Sequence, residues 1–202
     1  MTNIPNENKI HLLKIVLSIG VFYTLAWYEK ALAIYEKVLG KEHPFTATTY
    51  NNIAAAYNKQ GKYSKALKWH KKALATREKV FGKEHPDIAT TYNNIASVYD
   101  SRGEYSKALE WYRKALEIRE KVLGTEHPNT AASYNNIAFV YDSQGDYDKA
   151  LEWLGKSYRI FLHKLGSAHP NTVACKRNMK IAYANAGLTE PFEAWFHEKF
   201  GA

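Results

Sequence analysis

Cysteine is almost missing from this sequence, because Cys175 is the single thiol among 202 residues. One cysteine cannot form an internal disulfide, so nothing in the chain asks for an oxidising compartment. Cys175 also lacks a motif that would place it with a histidine and an orienting amide, which disfavours a nucleophile. We therefore expect a cytoplasmic protein in which this thiol is a buried or half-buried helix residue.

Glycine and proline are sparse as well, with 11 and 6 residues. Hydrophobic residues make up 46% of the chain and charged residues 24%, as in ordinary folded domains. These proportions exclude a disordered chain, a collagen-like chain and a polytopic membrane protein. We interpret every glycine as a helix end, which leaves none for a phosphate-binding loop.

The formal net charge of +8 is unevenly distributed. Residues 43–84 contain nine Lys and Arg against two Glu, whereas the segments on either side are close to neutral. The lysines between residues 62 and 72 recur at helical spacing, and we interpret them as a solvated outer face. Nucleic-acid association through that helix remains an alternative, but it would normally need a longer basic patch.

The pair His-Pro recurs every 42 residues, at positions 43–44, 85–86, 127–128 and 169–170. Residues 45–86 and 87–128 are identical at 27 of 42 positions, which identifies a tandem array. We expect a single domain over residues 1–202. Its parts are an irregular N-terminal repeat (1–44), three repeats (45–86, 87–128 and 129–170) and a C-terminal capping repeat (171–202).

Each unit carries two helical patterns. In the first, Ile88, Tyr92 and Ile95 mark one apolar face, and Pro86 suits the opening turn; this is helix A. A longer pattern over residues 105–124 predicts helix B. No strand pattern competes, so the predicted fold is all-α, a solenoid of tandem helix-turn-helix units.

Small residues at fixed spacing resemble the tetratricopeptide repeat. The matching positions are Ala54, Tyr57, Ala66 and Ala73, then Ala96, Tyr99, Ala108 and Ala115, then Ala138, Tyr141, Ala150 and Ser157. The 42-residue length, with Tyr-Asn-Asn-Ile-Ala and Glu-His-Pro, is similar to the kinesin light chain type. This resemblance implies a right-handed superhelix whose concave groove, lined by helix A, binds proteins without catalysis.

Paired asparagines recur on the polar side of helix A. The first members are Asn51, Asn93 and Asn135, and the second are Asn52, Asn94, Asn136 and Asn178. Asparagine is mildly unfavourable inside a helix, but an amide that both donates and accepts can pair with the backbone of an extended peptide. By resemblance, the second asparagine grips that backbone. Alternatively, the asparagines bond a neighbouring unit and hold the stack together.

Other positions on this stripe differ between the near-identical repeats, which marks them as candidates for contacting ligand side chains. They include Lys59, Ser97, Phe139 and Ile181. By resemblance to chaperone-tail binders, Lys59 and Arg177 are the candidates for holding a terminal carboxylate. Asp100 and Asp142 carry the opposite charge on the same stripe and would repel a terminal carboxylate, which disfavours a chaperone tail.

The recurring histidines do not predict a metal site. Two helices per unit separate successive His-Pro loops by about 20 Å, too far for one ion to bridge. We interpret the histidines as helix-start residues. We expect no metal, no cofactor, no small-molecule substrate and no enzymatic activity.

The two ends of the array are irregular. Residues 9–28 contain a run of 14 uncharged residues, which we interpret as a degenerate capping helix. A membrane anchor or export signal is the alternative. At the other end, an apolar face over residues 192–200 predicts a terminal helix packed back on the stack.

These patterns predict a non-catalytic module for protein-protein interaction that binds an extended peptide or a partner protein. The alternative is a membrane-tethered scaffold held by the N-terminal segment. The sequence leaves the oligomeric state and the partner undefined.

Overall fold

A computed structural model describes residues 24–201, and every described element of secondary structure is helical. Helix α1 is described over 24–38. The others are α2 (Pro44–Lys59), α3 (Tyr63–Phe81), α4 (Pro86–Ser101), α5 (Tyr105–Leu123), α6 (Pro128–Ser143), α7 (Tyr147–Leu165), α8 (Pro170–Asn185) and α9 (Phe192–Phe200). The all-α prediction and the alternation of helix A with a longer helix B are confirmed. Most of the irregular N-terminal segment predicted over 9–28 lies outside the described residues.

The chain forms two compact units, Met1–Lys83 and Glu84–Ala202. In the described part of the first, Leu25 and Leu32 of α1 pack with Tyr50 of α2 and Ala73 of α3. In the second, α4 packs on α5, α5 on α6, α6 on α7 and α7 on α8. Each unit therefore builds its core from successive helices, as expected of tandem repeats.

The small residues of the repeat signature lie in these cores. Ala54, Ala96 and Ala138 of helix A are fully buried, and so are their small counterparts on helix B. Ser157 replaces an alanine in the last of these helices, and its Oγ donates to the carbonyl of Ala131 at 2.8 Å. The replacement therefore keeps the close approach and satisfies its own hydroxyl.

The His-Pro pairs begin each helix A. Nδ1 of His43, His85, His127 and His169 accepts a hydrogen bond from the backbone N–H two residues later, at 3.0 to 3.2 Å. The proline occupies the first turn, where a missing N–H removes no intrahelical bond. Histidine thus fills the N-cap role that Ser, Thr, Asp or Asn usually fill.

Helix α9 packs on α7, and this contact corrects the interpretation of every glycine as a helix end. Gly155 lies in the middle of α7, and a Cβ atom there would collide with the ring of Phe200. The equivalent residues in α3 and α5 are Lys71 and Arg113. Phe196 of α9 is buried beside Tyr158, with ring centroids 5.2 Å apart. Gly155 therefore makes room for the terminal helix.

Replacing the N-cap of α6 tests its role. His127→Ala should lower the free energy of unfolding by about 1 kcal/mol, because the N–H of Asn129 loses its acceptor. His127→Asn should retain most of that stability, since asparagine caps well from the same extended backbone. Urea unfolding followed by circular dichroism measures both, and equal stability of His127→Ala and wild type would contradict this role.

Replacing Gly155 tests the seating of α9. Gly155→Ala should displace Phe200, lower the free energy of unfolding by about 1 to 3 kcal/mol and speed hydrogen exchange over 192–200. In a Phe200→Ala background the same change should be neutral or stabilising by up to about 1 kcal/mol, because alanine favours helix over glycine. The same loss of stability in both backgrounds would show that the two residues are uncoupled.

Candidate functional site

The predicted site residues lie on the helix A elements but differ in exposure. Lys59, Phe139 and Arg177 are exposed, whereas Ser97 and the second asparagine of each pair are half-buried. Among the first asparagines, Asn51 is buried and the other two are half-buried. Lys59, Asn51 and Asn52 belong to the first unit, and the remaining site residues belong to the second.

The first asparagines have three different environments. In the first unit, His70 Nδ1 donates to Asn51 Oδ1 at 2.7 Å, since an amide oxygen can only accept. In the second unit, Asn93 Oδ1 accepts from Asn136 Nδ2 at 2.8 Å. Asn135 Oδ1 is buried with no hydrogen-bond partner among the described residues. The repeated sequence therefore does not produce a uniform ladder of amides.

The bond between Asn93 and Asn136 joins α4 to α6. For this pair, the asparagines do bond between neighbouring repeats, and they do so from one side-chain amide to the other. The bond uses one hydrogen of Asn136 and one lone pair of Asn93, so each amide keeps further capacity to donate and accept. Holding the stack and contacting a ligand are compatible roles for this pair.

The amides of the three remaining second asparagines are open to solvent. Within residues 24–201, the side chains of Asn52, Asn94 and Asn178 make no hydrogen bond, and none of their polar atoms is both buried and unsatisfied. These three amides therefore face water and can exchange it for another polar partner.

A pocket of about 120 Å³ lies between α6 and α8, above α7. Its lining residues are Asn135, Ala138, Phe139, Asp142, Leu154, Asn178 and Ile181. Phe139 is 54% exposed and Ile181 is 51% exposed, although both are large and apolar. The structure thus brings together Asn135, Phe139 and Asn178, which the sequence pattern singled out, with Ile181 from the same variable stripe.

Two asparagines that line this pocket, Asn135 and Asn178, do not bond each other as their equivalents do. Asn135 and Asn178 are one repeat beyond Asn93 and Asn136, so they are the equivalent pair. Asn93 and Asn136 bond each other, whereas Asn135 Oδ1 has no partner and both Asn135 and Asn178 line the pocket. The amides equivalent to those that join α4 to α6 are therefore available to a ligand between α6 and α8.

Two aspartates on the same stripe, Asp100 and Asp142, are half-buried. Asp142 lines the pocket, and Asp100 is its equivalent one repeat earlier. Burial raises the pKa of both carboxyl groups, and within the described residues no salt bridge reaches either. The sequence pattern already placed Asp142 on the stripe of Asn135, two helical turns later. The burial of the carboxyl groups of Asp100 and Asp142 is what the structure adds.

The two predicted cationic residues lie elsewhere. Arg177 is not in the lining of the pocket; it lines a wider cavity of about 610 Å³ along α8 with Val173 and Lys176. Lys59 is in the last turn of α2, in the first unit. The structure therefore does not bring Arg177 to the open amide pair.

His70 of α3 is a further polar residue that the sequence pattern did not single out. It is 1% exposed, and its equivalents in the next two repeats are Tyr112 and Leu154. Burial lowers the pKa of His70 to about 4, and the charge of Arg77 acts in the same direction. The ring is therefore neutral at pH 7, with Nδ1 carrying its proton toward Asn51. A single histidine replacing apolar residues of the core was the available signal.

The described residues hold no cluster of three or more side chains placed to bind a metal ion. Cys175 is 1% exposed, and burial raises the pKa of its thiol to about 11, as expected of a structural cysteine. Within 24–201, no helix combines the length and apolar character needed to cross a membrane.

Tandem two-helix units with buried alanines at their crossings define an all-α helical-repeat protein. The tetratricopeptide repeat model matches residues 24–79, 46–121 and 88–163, and the chain belongs to this family. No curated protein matches the sequence significantly.

Solved structures share the architecture and include kinesin light chain-like repeats. Nearly identical TPR-like repeats of a kinesin light chain-like protein from Podosopora anserina are 26% identical, with a TM-score of 0.69, and the match covers 96% of this chain and 92% of that one. BtubC (BKLC) from P. vanneervenii is 24% identical over 83% of this chain and 67% of that one, with a TM-score of 0.70. The apo form of RapI is 19% identical over 90% of this chain and 48% of that one, with a TM-score of 0.67. The last two likenesses establish the fold alone.

The buried His70 predicts a loss of stability in mild acid. Its pKa is about 4 in the folded chain against 6.5 as the ordinary value, so its contribution is complete above pH 6.5 and is lost as the pH falls toward 4. Between pH 7 and pH 5 this residue should remove about 2 kcal/mol from the free energy of unfolding. Urea unfolding at both pH values measures the change.

The matched control is His70→Leu, which installs the residue found at the equivalent position 154. This variant loses the bond to Asn51 but has no group to protonate at this position. Between pH 7 and pH 5, its free energy of unfolding should therefore fall by about 2 kcal/mol less than that of wild type. Identical pH dependence in wild type and His70→Leu would contradict the assignment.

Proposed function

We propose that this chain is a non-catalytic module for protein-protein interaction, and that it binds an extended peptide segment across α4, α6 and α8. Tetratricopeptide repeats generally act in protein-protein interaction, and this chain belongs to that family. The observation that carries the finer proposal is the pocket between α6 and α8, which joins open amides to exposed apolar side chains.

The two kinds of group suit the two parts of a peptide. Amides such as those of Asn94 and Asn178 can donate to carbonyls and accept from N–H groups of any sequence. Phe139 and Ile181 offer apolar surface, and covering such surface contributes about 25 cal/mol per Å². The amides would supply general affinity, and the apolar residues would supply preference for particular side chains.

The proposal extends to the location of the protein and to the class of its partner. A buried cysteine outside any disulfide agrees with the reducing cytoplasm that we propose for this protein. The exposed lysines of α3 lie along one face of one helix, and we propose no nucleic-acid partner for them.

Selection from a displayed library of random octapeptides tests this function. The wild-type chain should enrich a family of peptides, and Asn94→Ala should lower affinity for a selected peptide by about 5-fold to 10-fold, the effect of one lost hydrogen bond. Asn94 is the cleanest position, because its side chain makes no hydrogen bond within the described residues. Asn94→Ala with Asn136→Ala should lower affinity further.

The matched control is Lys114→Ala with Lys156→Ala, at equivalent exposed positions on α5 and α7. These lysines pair with Glu110 and Glu152 on the same helices, so the control removes two polar side chains outside the helix A faces. Circular dichroism verifies that each variant is folded. Unchanged affinity in both asparagine variants would refute the proposed site.

A further inference from the structure

The pocket between α6 and α8 contains two acceptor oxygens that lack a donor. Asn135 Oδ1 and Asp142 Oδ1 are both buried without a hydrogen-bond partner in the described residues, and both residues line the pocket. They lie seven residues apart on α6, which places them on one face. A buried acceptor without a donor is unfavourable and unusual in a folded protein. A ligand that brings donors would satisfy both oxygens.

No cation of the described chain serves the Asp142 carboxylate. Lys176 and Lys180 of α8 both pair with Glu193, and Arg177 does not line the pocket. Burial raises the pKa of Asp142, in agreement with a carboxyl group that has lost water without gaining a positive neighbour. The pocket therefore presents a partly desolvated acidic group without a counter-ion.

The remaining walls of the pocket are apolar. Phe139 and Ile181 flank it, and Leu154 of α7 lies beneath. Lysine and arginine combine a long apolar stem with a charged head, so the stem can pack on such walls while the head reaches oxygens. The exposed ring of Phe139 also attracts a cation placed over its face. The volume of the pocket, about 120 Å³, suits one side chain.

Building on the proposed peptide binding, we propose that this pocket takes an arginine or lysine side chain of the bound peptide. Asp142 supplies the opposite charge, and Asn135 supplies a second acceptor for the several N–H groups of the head. An acidic ligand residue would be repelled by Asp142, and an apolar one would leave both oxygens unsatisfied. The pocket therefore selects for positive charge.

A second carboxylate extends the same preference along the repeats. Asp100 of α4 is equivalent to Asp142, is half-buried and has no salt bridge in the described residues. Ser97 stands there in place of Phe139, so that position lacks the aromatic wall. A second basic residue in the ligand should therefore be favoured less strongly than the first.

The experiment selects random octapeptides on the wild-type chain, on Asp142→Asn and on Asp148→Asn. Asp148 is an exposed aspartate of α7, so its variant removes the same charge outside the pocket. We expect arginine or lysine to be enriched several-fold at one fixed position with wild type and with Asp148→Asn. Selection on Asp142→Asn should still enrich peptides, but without that preference.

A synthetic pair makes the test quantitative. The selected peptide and its copy with citrulline, the neutral isostere of arginine, or with norleucine for lysine, are titrated against wild type and Asp142→Asn. Loss of the charge should weaken binding to wild type by about tenfold, as expected for a charge-assisted contact, and should matter little to Asp142→Asn.

The outcomes separate the two proposals. Enriched peptides without a basic preference, or a basic preference unchanged in Asp142→Asn, would overturn the pocket assignment and leave peptide binding intact. Failure to enrich any peptide on the wild-type chain would overturn the proposed function, and the pocket assignment with it.

Discussion

Close approach of helices at buried alanines is the constraint on which the rest of the structure depends. Ala54, Ala96 and Ala138 are fully buried where helix A meets helix B, and a larger side chain there would force the helices apart. A two-helix unit cannot bury its apolar face alone, so successive helices must continue the core. Within Glu84–Ala202, this packing holds the polar stripes of α4, α6 and α8 on neighbouring helices.

The candidate site arises where nearly identical repeats differ. Phe139 replaces the serine found at position 97, and the amide pair that is closed by Asn93 is open at Asn135. Packing residues are repeated because each crossing of helix A and helix B needs a small side chain. Polar and exposed residues are free to vary, and one such variation joins Asp142 to two exposed apolar side chains.

Sequence periodicity predicted the helices, their starts and the buried alanines well, because these depend on local spacing that repeats every 42 residues. It also located Phe139 and the asparagines on one stripe. It could not predict which amide bonds which partner, since Asn51, Asn93 and Asn135 occupy equivalent positions and have three different neighbours. Gly155 was misinterpreted for a similar reason, because the ring that requires it comes from α9, 45 residues later in the chain.

In the proposed binding mode, a peptide lies across the helix A faces of the second unit, with one basic side chain between α6 and α8. A crystal structure of the full chain with a library-selected peptide tests it most directly. We expect peptide backbone beside Asn94 and Asn178, and a cationic head within hydrogen-bond distance of Asp142. A peptide bound on the exposed face of α3, or a pocket occupied by an apolar or acidic side chain, would contradict it.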